Sequence, residues 1–137
     1  MKITIDTNIF VSSLLTPKSN NGKIIKFWQN GKFDICLSEP LLTEISRVLN
    51  YPKIKKHLQL DDSEIKNYIS FLRFYAHFVD IKNVKAVVPK DRKDDHVLAT
   101  FLASNSDYLI SGDDDLLSLK TKYKIISPRE FVEKFLH

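Results

Sequence analysis

Four acidic side chains stand where a carboxylate could do chemistry. Asp6 directly follows an apolar run, Glu44 lies inside an amphipathic segment, Asp95 is early in another, and Asp113 follows a second apolar run. Each has an ordinary use when taken alone. Asp6 can cap a helix, and Asp94 and Asp95 fit a first helical turn, where the macrodipole favours anions by roughly 0.3–1 kcal/mol. Glu44 has Arg47 as a partner at i+3. Their placement suggests more. Glu44 follows Leu41 and precedes Val48 at helical spacing, so it shares the edge of an apolar stripe and loses hydration there. Asp95 aligns with Leu98, Ala99 and Leu102, and Asp94 with Val97, Leu98 and Phe101, so periodicity does not choose between them. Asp113, Asp114 and Asp115 are more aspartates than one helix start needs, and they repel one another unless a cation gathers them.

Carboxylates that converge in a cleft raise one another's pKa and become protonated unless hard divalent cations keep them ionised. Oxygen ligands, with a single cysteine and no paired histidines, point to Mg2+ or Mn2+. Such an ion turns bound water into a hydroxide nucleophile and stabilises charge on a phosphoryl oxygen. The chain carries 21 Lys+Arg against 17 Asp+Glu, a net +4. Its basic residues gather at Lys53, Lys55 and Lys56, at Lys90, Arg92 and Lys93, and at Lys120, Lys122 and Lys124. Runs of this kind often serve as solvated faces. Around an acidic metal pocket they also suit a polyanion whose backbone is to be cut, which makes phosphodiester hydrolysis the expected chemistry.

The elements that must position these acids are legible in outline. Lys2 to Asp6 reads as a buried strand, followed by a helix over Ile9 to Leu15 and another over Lys23 to Gln29. Phe33 to Leu37 is a second strand, and Ser38 with Pro40 opens a helix whose apolar residues Leu41, Leu42, Ile45, Val48 and Leu49 form one stripe. A basic linker is expected after Tyr51-Pro52. A helix through Ile65 to Tyr75 follows, with Asp61, Asp62 and Ser63 available as caps. Phe78 to Asp80 is β-like, and Ala86 to Val88 is either a strand or an extended connection before Pro89. Asp91 is a candidate cap for a helix from Arg92 to Ala103. Tyr108 to Ile110 is a strand ending at Ser111, a short helix runs through Leu119, Tyr123 to Ile126 is the last strand, and Pro128 opens the last helix. Strands alternating with helices imply an α/β chain with a three-layer α/β/α architecture and a parallel sheet of about four to five strands. Sites in such sheets lie beyond the carboxyl ends of the strands.

The 137 residues fit one domain, residues 1–137, and 43% hydrophobic residues suffice for a core. One cysteine, Cys36, rules out a disulfide scaffold and a cysteine-based zinc site, and suits a reducing cytoplasm as a small core residue. No apolar stretch reaches the roughly 18 residues of a membrane span, and Asp6 interrupts any signal-like run. Glycine-rich nucleotide loops and the EF-hand pattern are absent. His57, His77, His96 and His137 lack ligand spacing. His96 beside the acidic pair reads as a surface or packing residue, with substrate contact as the alternative. Trp28, Phe27 and Tyr51 suit core packing or a dimer contact, though aromatic rings also stack on bases.

Ile5-Asp6-Thr7-Asn8, the segment Ser38 to Leu49 around Glu44, and Asp94 to Leu117 together resemble the PIN (PilT N-terminus-like) domain, a family of metal-dependent ribonucleases. The last segment, with Asp-Tyr-Leu-Ile and Ser-Gly-Asp, resembles the toxin-like bacterial and archaeal branch. The resemblance implies an Mg2+ or Mn2+ endoribonuclease with Asp6, Glu44, Asp95 and Asp113 as metal-binding and catalytic acids. It implies Asn8 and Ser111 as supporting polar positions, Asp115 as a further acid, and Asp94 as a rival for the third place. RNA as substrate, a cognate antitoxin and a homodimer are implied as partners. A catalytically silent PIN-fold module that binds RNA or a partner protein is the alternative reading. A receiver domain would need paired acids after the first strand, where Asp6 is followed by Thr7-Asn8.

Overall fold

The computed structural model describes residues 1–136; His137 lies outside them. The chain forms five strands, β1 (Lys2–Ile5), β2 (Asp34–Leu37), β3 (His77–Phe78), β4 (Tyr108–Ile110) and β5 (Ile125–Ile126). All pairings are parallel, in the order β3-β2-β1-β4-β5. Helices α1 (Thr7–Leu15), α2 (Asn20–Gln29), α3 (Glu39–Leu49), α4 (Pro52–Leu58), α5 (Asp62–Tyr75), α6 (Asp95–Ser104), α7 (Asp114–Leu117) and α8 (Pro128–Phe135) flank the sheet. This is the expected α/β architecture, with the upper of the expected strand counts.

The central strands are buried on both faces, as a parallel sheet covered by helices requires. Ile3, Ile5, Ile35, Leu37, Leu109 and Ile110 are fully buried. Cys36 is buried among them as a core residue, and Trp28 packs edge-on against Phe71 instead of facing solvent. Gly22, in the first turn of α2, meets the Pro17 backbone so closely that a Cβ would lie 2.0 Å from the carbonyl oxygen.

Two expectations are corrected and one open alternative is resolved. The basic linker after Tyr51 is helix α4, because Pro52 starts it and Gln59 ends it in the left-handed conformation. Its Ile54 and Leu58, one turn apart, pack on the core while the lysines face out. Ala86 to Val88 is an extended connection and not a strand, with Val88 fully buried. The helix expected from Arg92 begins as a separate 3-10 turn, Arg92–Asp94, and becomes α-helical only at Asp95. Asp91 caps that turn by accepting the Lys93 N–H at 3.0 Å.

The strand order decides where a site forms. Chain progression reverses at β1, with β2 and β3 on one side and β4 and β5 on the other, so the connections leaving β1 and β4 part and open a crevice at their carboxyl ends. The register pairs Ile5 with Ile110, which sets Asp6 next to Ser111.

Two substitutions check this account by urea denaturation. Leu109→Ala, at a fully buried position of β4, should lower the unfolding free energy by about 2–5 kcal/mol. Asp61→Ala, which removes the capping box at the start of α5, should cost about 1 kcal/mol.

Candidate active site

The crevice between β1 and β4 collects side chains from four parts of the chain. Asp6 follows β1 and is 5% exposed. It occupies the N-cap position of α1 but its side chain caps nothing. Its Oδ2 instead accepts the Ser111 hydroxyl at 2.8 Å. The Ser111 oxygen in turn accepts the Asp113 N–H at 3.0 Å, so one buried serine ties the acid after β1 to the acid after β4. Burial, opposed by the Ser111 hydrogen bond and reinforced by the charges of Asp113 and Glu44, raises the Asp6 carboxyl above its ordinary pKa.

Asp94 is the third member. Its Oδ2 and the Oδ2 of Asp113 are both buried without a hydrogen-bond donor. Burial first, then the neighbouring Asp113 carboxyl and the charges of Asp6, Asp113 and Asp91, push Asp94 up to about 8. Asp95, its rival for this place, makes other contacts. Its Oδ1 accepts the Val88 N–H at 2.7 Å and its Oδ2 accepts the Arg92 Nε–H at 2.6 Å. Against slight desolvation, those two donors hold its pKa below the ordinary value. The reason is geometric. A 3-10 turn advances 120° per residue where an α-helix advances 100°, so the turn Arg92–Asp94 rotates Asp94 into the crevice and leaves Asp95 pointing back along the chain.

Glu44 comes in from α3. The Thr7 hydroxyl donates to its Oε2 at 2.9 Å, His96 Nε2 lies 2.5 Å from the same oxygen, and Arg47 approaches Oε1 at 3.5 Å. His96 above all, then Thr7 and Arg47, hold the Glu44 carboxyl below its ordinary range against the opposing effect of partial burial. Thr7 is thus a residue of the crevice to which the sequence gave no role, and His96, read as a surface or packing residue with substrate contact as the alternative, lies against Glu44. The signal for His96 was its place directly after the acidic pair, which carries it to the α3 side. Asn8 is exposed on the first turn of α1, and Asp115 is half-buried in the first turn of α7, outside the interactions that join the other acids.

Two observations bear on whether this arrangement suits a divalent cation. The donors are all carboxylate and hydroxyl oxygens, the set preferred by Mg2+ and Mn2+. The buried Asp94 and Asp113 oxygens have no hydrogen-bond donor from any other residue, and their closeness pushes the Asp94 carboxyl up, a state that a cation relieves. In their present rotamers no three acidic, histidine or cysteine side chains among the described residues form a ready ligand set, because Asp6 is turned to Ser111 and Glu44 to Thr7 and His96. The residues fit the group, and the side chains that would hold it are Asp6, Asp94 and Asp113, with Glu44 adjoining.

The surroundings agree with known proteins. The chain aligns with an uncharacterized protein of Methanocaldococcus jannaschii at 30% identity over 145 residues, covering 98% of this chain and 92% of that one. Its fold is similar to that of VapBC2 from Rickettsia felis, solved bound to a DNA fragment from its promoter. That match has a TM-score of 0.61 and 14% identity, and covers 93% of this chain and 98% of the other. A family model described as the PIN domain matches residues 2–115, which span the β1 acid, α3, the 3-10 turn and the β4 acids alike. The chain therefore belongs to the PIN domain family, whose members are in general nucleases.

Proposed function

We propose that this protein is an Mg2+- or Mn2+-dependent endoribonuclease that hydrolyses RNA phosphodiester bonds, and that it is the toxin of a toxin-antitoxin pair acting in the cytoplasm as a homodimer. The observation that carries the hydrolase reading is the buried, donorless pair of carboxylate oxygens on Asp94 and Asp113 beside the buried Asp6. Left without a cation this arrangement costs stability, and a nucleolytic metal site is the use that compensates for it. Likeness to VapBC2 supports an antitoxin partner. No described helix is long and apolar enough to cross a membrane.

The chain's own residues divide the work. Asp6, Asp94 and Asp113 would hold the ion. When bound, the ion supplies a lowered pKa for an attacking water and stabilises the charge that develops on the phosphoryl oxygen. Ser111 fixes one oxygen of Asp6, leaving its Oδ1 to the crevice, and secures the backbone of Asp113. Thr7 and His96 fix Oε2 of Glu44. These contacts settle the carboxylate positions before substrate arrives, so that little reorganisation is left for the chemical step.

Asp6→Asn should abolish cutting of an RNA oligonucleotide in Mn2+ while leaving the circular dichroism spectrum and melting transition in place. Undiminished cutting by that variant would overturn the reading. RNA binding that persists in EDTA with no cleavage under any divalent metal would favour the silent binding module.

A second check needs no activity. The folded pKa of Asp94 lies above its unfolded value of 3.8, near 8. The stability this group contributes is therefore complete below about pH 4 and is lost as pH rises towards 8. In EDTA, Asp94→Asn should melt above wild type by a margin that widens from pH 5 to pH 8, roughly 1–2 kcal/mol after solvent screening of a half-buried carboxyl. Mn2+ should raise the melting temperature of wild type at pH 8 and fail to raise that of the variant.

A further inference from the structure

Asp95 holds an arginine on the turn that carries Asp94. Its two oxygens join the Val88 amide, at 2.7 Å, to Arg92 Nε, at 2.6 Å. Val88 is fully buried, so the strut is rooted in the core, whereas the Arg92 side chain is 71% exposed. Arginine carries five N–H donors in a planar fork. Asp95 takes the one on Nε, and the four on Nη1 and Nη2 have no protein acceptor among the described residues. Arg92 opens the 3-10 turn that Asp94 closes, so the fork stands two residues along the chain from an acid of the crevice.

An exposed i,i+3 ion pair contributes little to stability, so the consequence of this geometry is what it presents to solvent. The crevice gathers Asp6, Glu44, Asp94 and Asp113, and one divalent ion leaves that set net negative. A phosphodiester strand entering it needs cations at the rim. Lys90 and Lys93 are exposed on the same turn, and Arg47, 63% exposed, stands beside Glu44 on the α3 side. Of these, Arg92 is the one fixed by two hydrogen bonds running through its partner into the core, with its bidentate edge left open. A guanidinium held that way matches a phosphate's paired oxygens, which a lysine's point charge does not.

We propose that Arg92, oriented by Asp95, forms a phosphate-binding subsite for the RNA strand, gripping a backbone phosphate that flanks the bond to be cut. Asp95 is a positioning residue acting through Arg92. This rests on the ribonuclease reading above.

The test uses wild type, Arg92→Ala, Arg92→Lys, Asp95→Ala and the double variant Arg92→Ala/Asp95→Ala, all checked for an unchanged melting transition. RNA cleavage kinetics, salt-dependent binding of a single-stranded RNA oligonucleotide in EDTA, and Mn2+ affinity by electron paramagnetic resonance are measured on each. Arg92→Ala should weaken RNA binding and raise KM about 10-fold with kcat within about two-fold, and should lower the slope of log K against log salt by about 0.7, the loss of one single-strand phosphate contact. Arg92→Lys should recover part of the affinity, since it keeps the charge without the fork. Asp95→Ala should give a smaller KM increase with Mn2+ affinity unchanged, and it should add nothing in the Arg92→Ala background.

Unaltered RNA affinity and salt slope in Arg92→Ala, with wild type still cutting RNA, would overturn this assignment alone. Loss of Mn2+ affinity in Asp95→Ala would return Asp95 to the ligand set and overturn it as well. A wild type that neither binds nor cuts RNA would remove the ribonuclease reading and the subsite with it.

Discussion

A carboxyl group buried at the end of a central parallel strand is the constraint around which the rest of the site is arranged. Asp6 is almost fully desolvated, and an ionised carboxylate in such a place is tolerated only with hydrogen bonds or opposite charge close by. The sheet supplies the first of these. Because β1 and β4 are adjacent and parallel, with Ile5 beside Ile110, the residue after each strand falls at the same level, and Ser111 reaches Asp6 without distortion. A hydroxyl is the smallest group that donates to Asp6 and also accepts from the Asp113 backbone, so a single side chain settles both acids.

The other acids of the crevice differ in what surrounds them. Glu44 is surrounded by donors, Asp94 and Asp113 by like charge, although all three adjoin Asp6. The difference follows the elements they come from. Glu44 sits between α3 and α6, where His96 is at hand. Behind His96, its carbonyl accepts the Thr100 hydroxyl, which in turn pairs with Ser38 at the start of α3, so a buried polar chain fixes the two helices against each other. Asp94 has no such support because the 3-10 turn carries it past every donor its neighbours offer. One side of the crevice is electrostatically settled and the other is left with carboxyls set against each other.

Charge is also sorted in space. The three basic runs lie on α4 and in turns and connections, while Asp6, Glu44, Asp94 and Asp113 turn inward at the switch point of the sheet. A surface of this kind attracts polyanions, whereas a crevice of carboxyls by itself repels them. The similarity to PIN domains over residues 2–115 covers the acids and their elements together, in keeping with a site built by the fold's strand order and not by any one loop.

Much of this was legible in the amino-acid order. Alternating apolar strands and amphipathic helices specified the parallel α/β sheet, because burial on both faces needs continuous apolar runs. Asp6, Glu44 and Asp113 were recognisable because each breaks an apolar pattern where desolvation is costly. The rest depended on contacts between residues distant in sequence. Thr7 and His96 meet on Glu44 only after α1, α3 and α6 pack, and no local spacing encodes that meeting. That Asp94 faces the crevice while Asp95 turns away involves a 3-10 turn whose 120° step a helical periodicity does not contain, and the Val88 amide that Asp95 meets comes from an extended segment with no periodicity at all. Sequence order sets which residues are costly to bury; only the folded chain decides which of them share a partner, because partnership is a matter of distance in space.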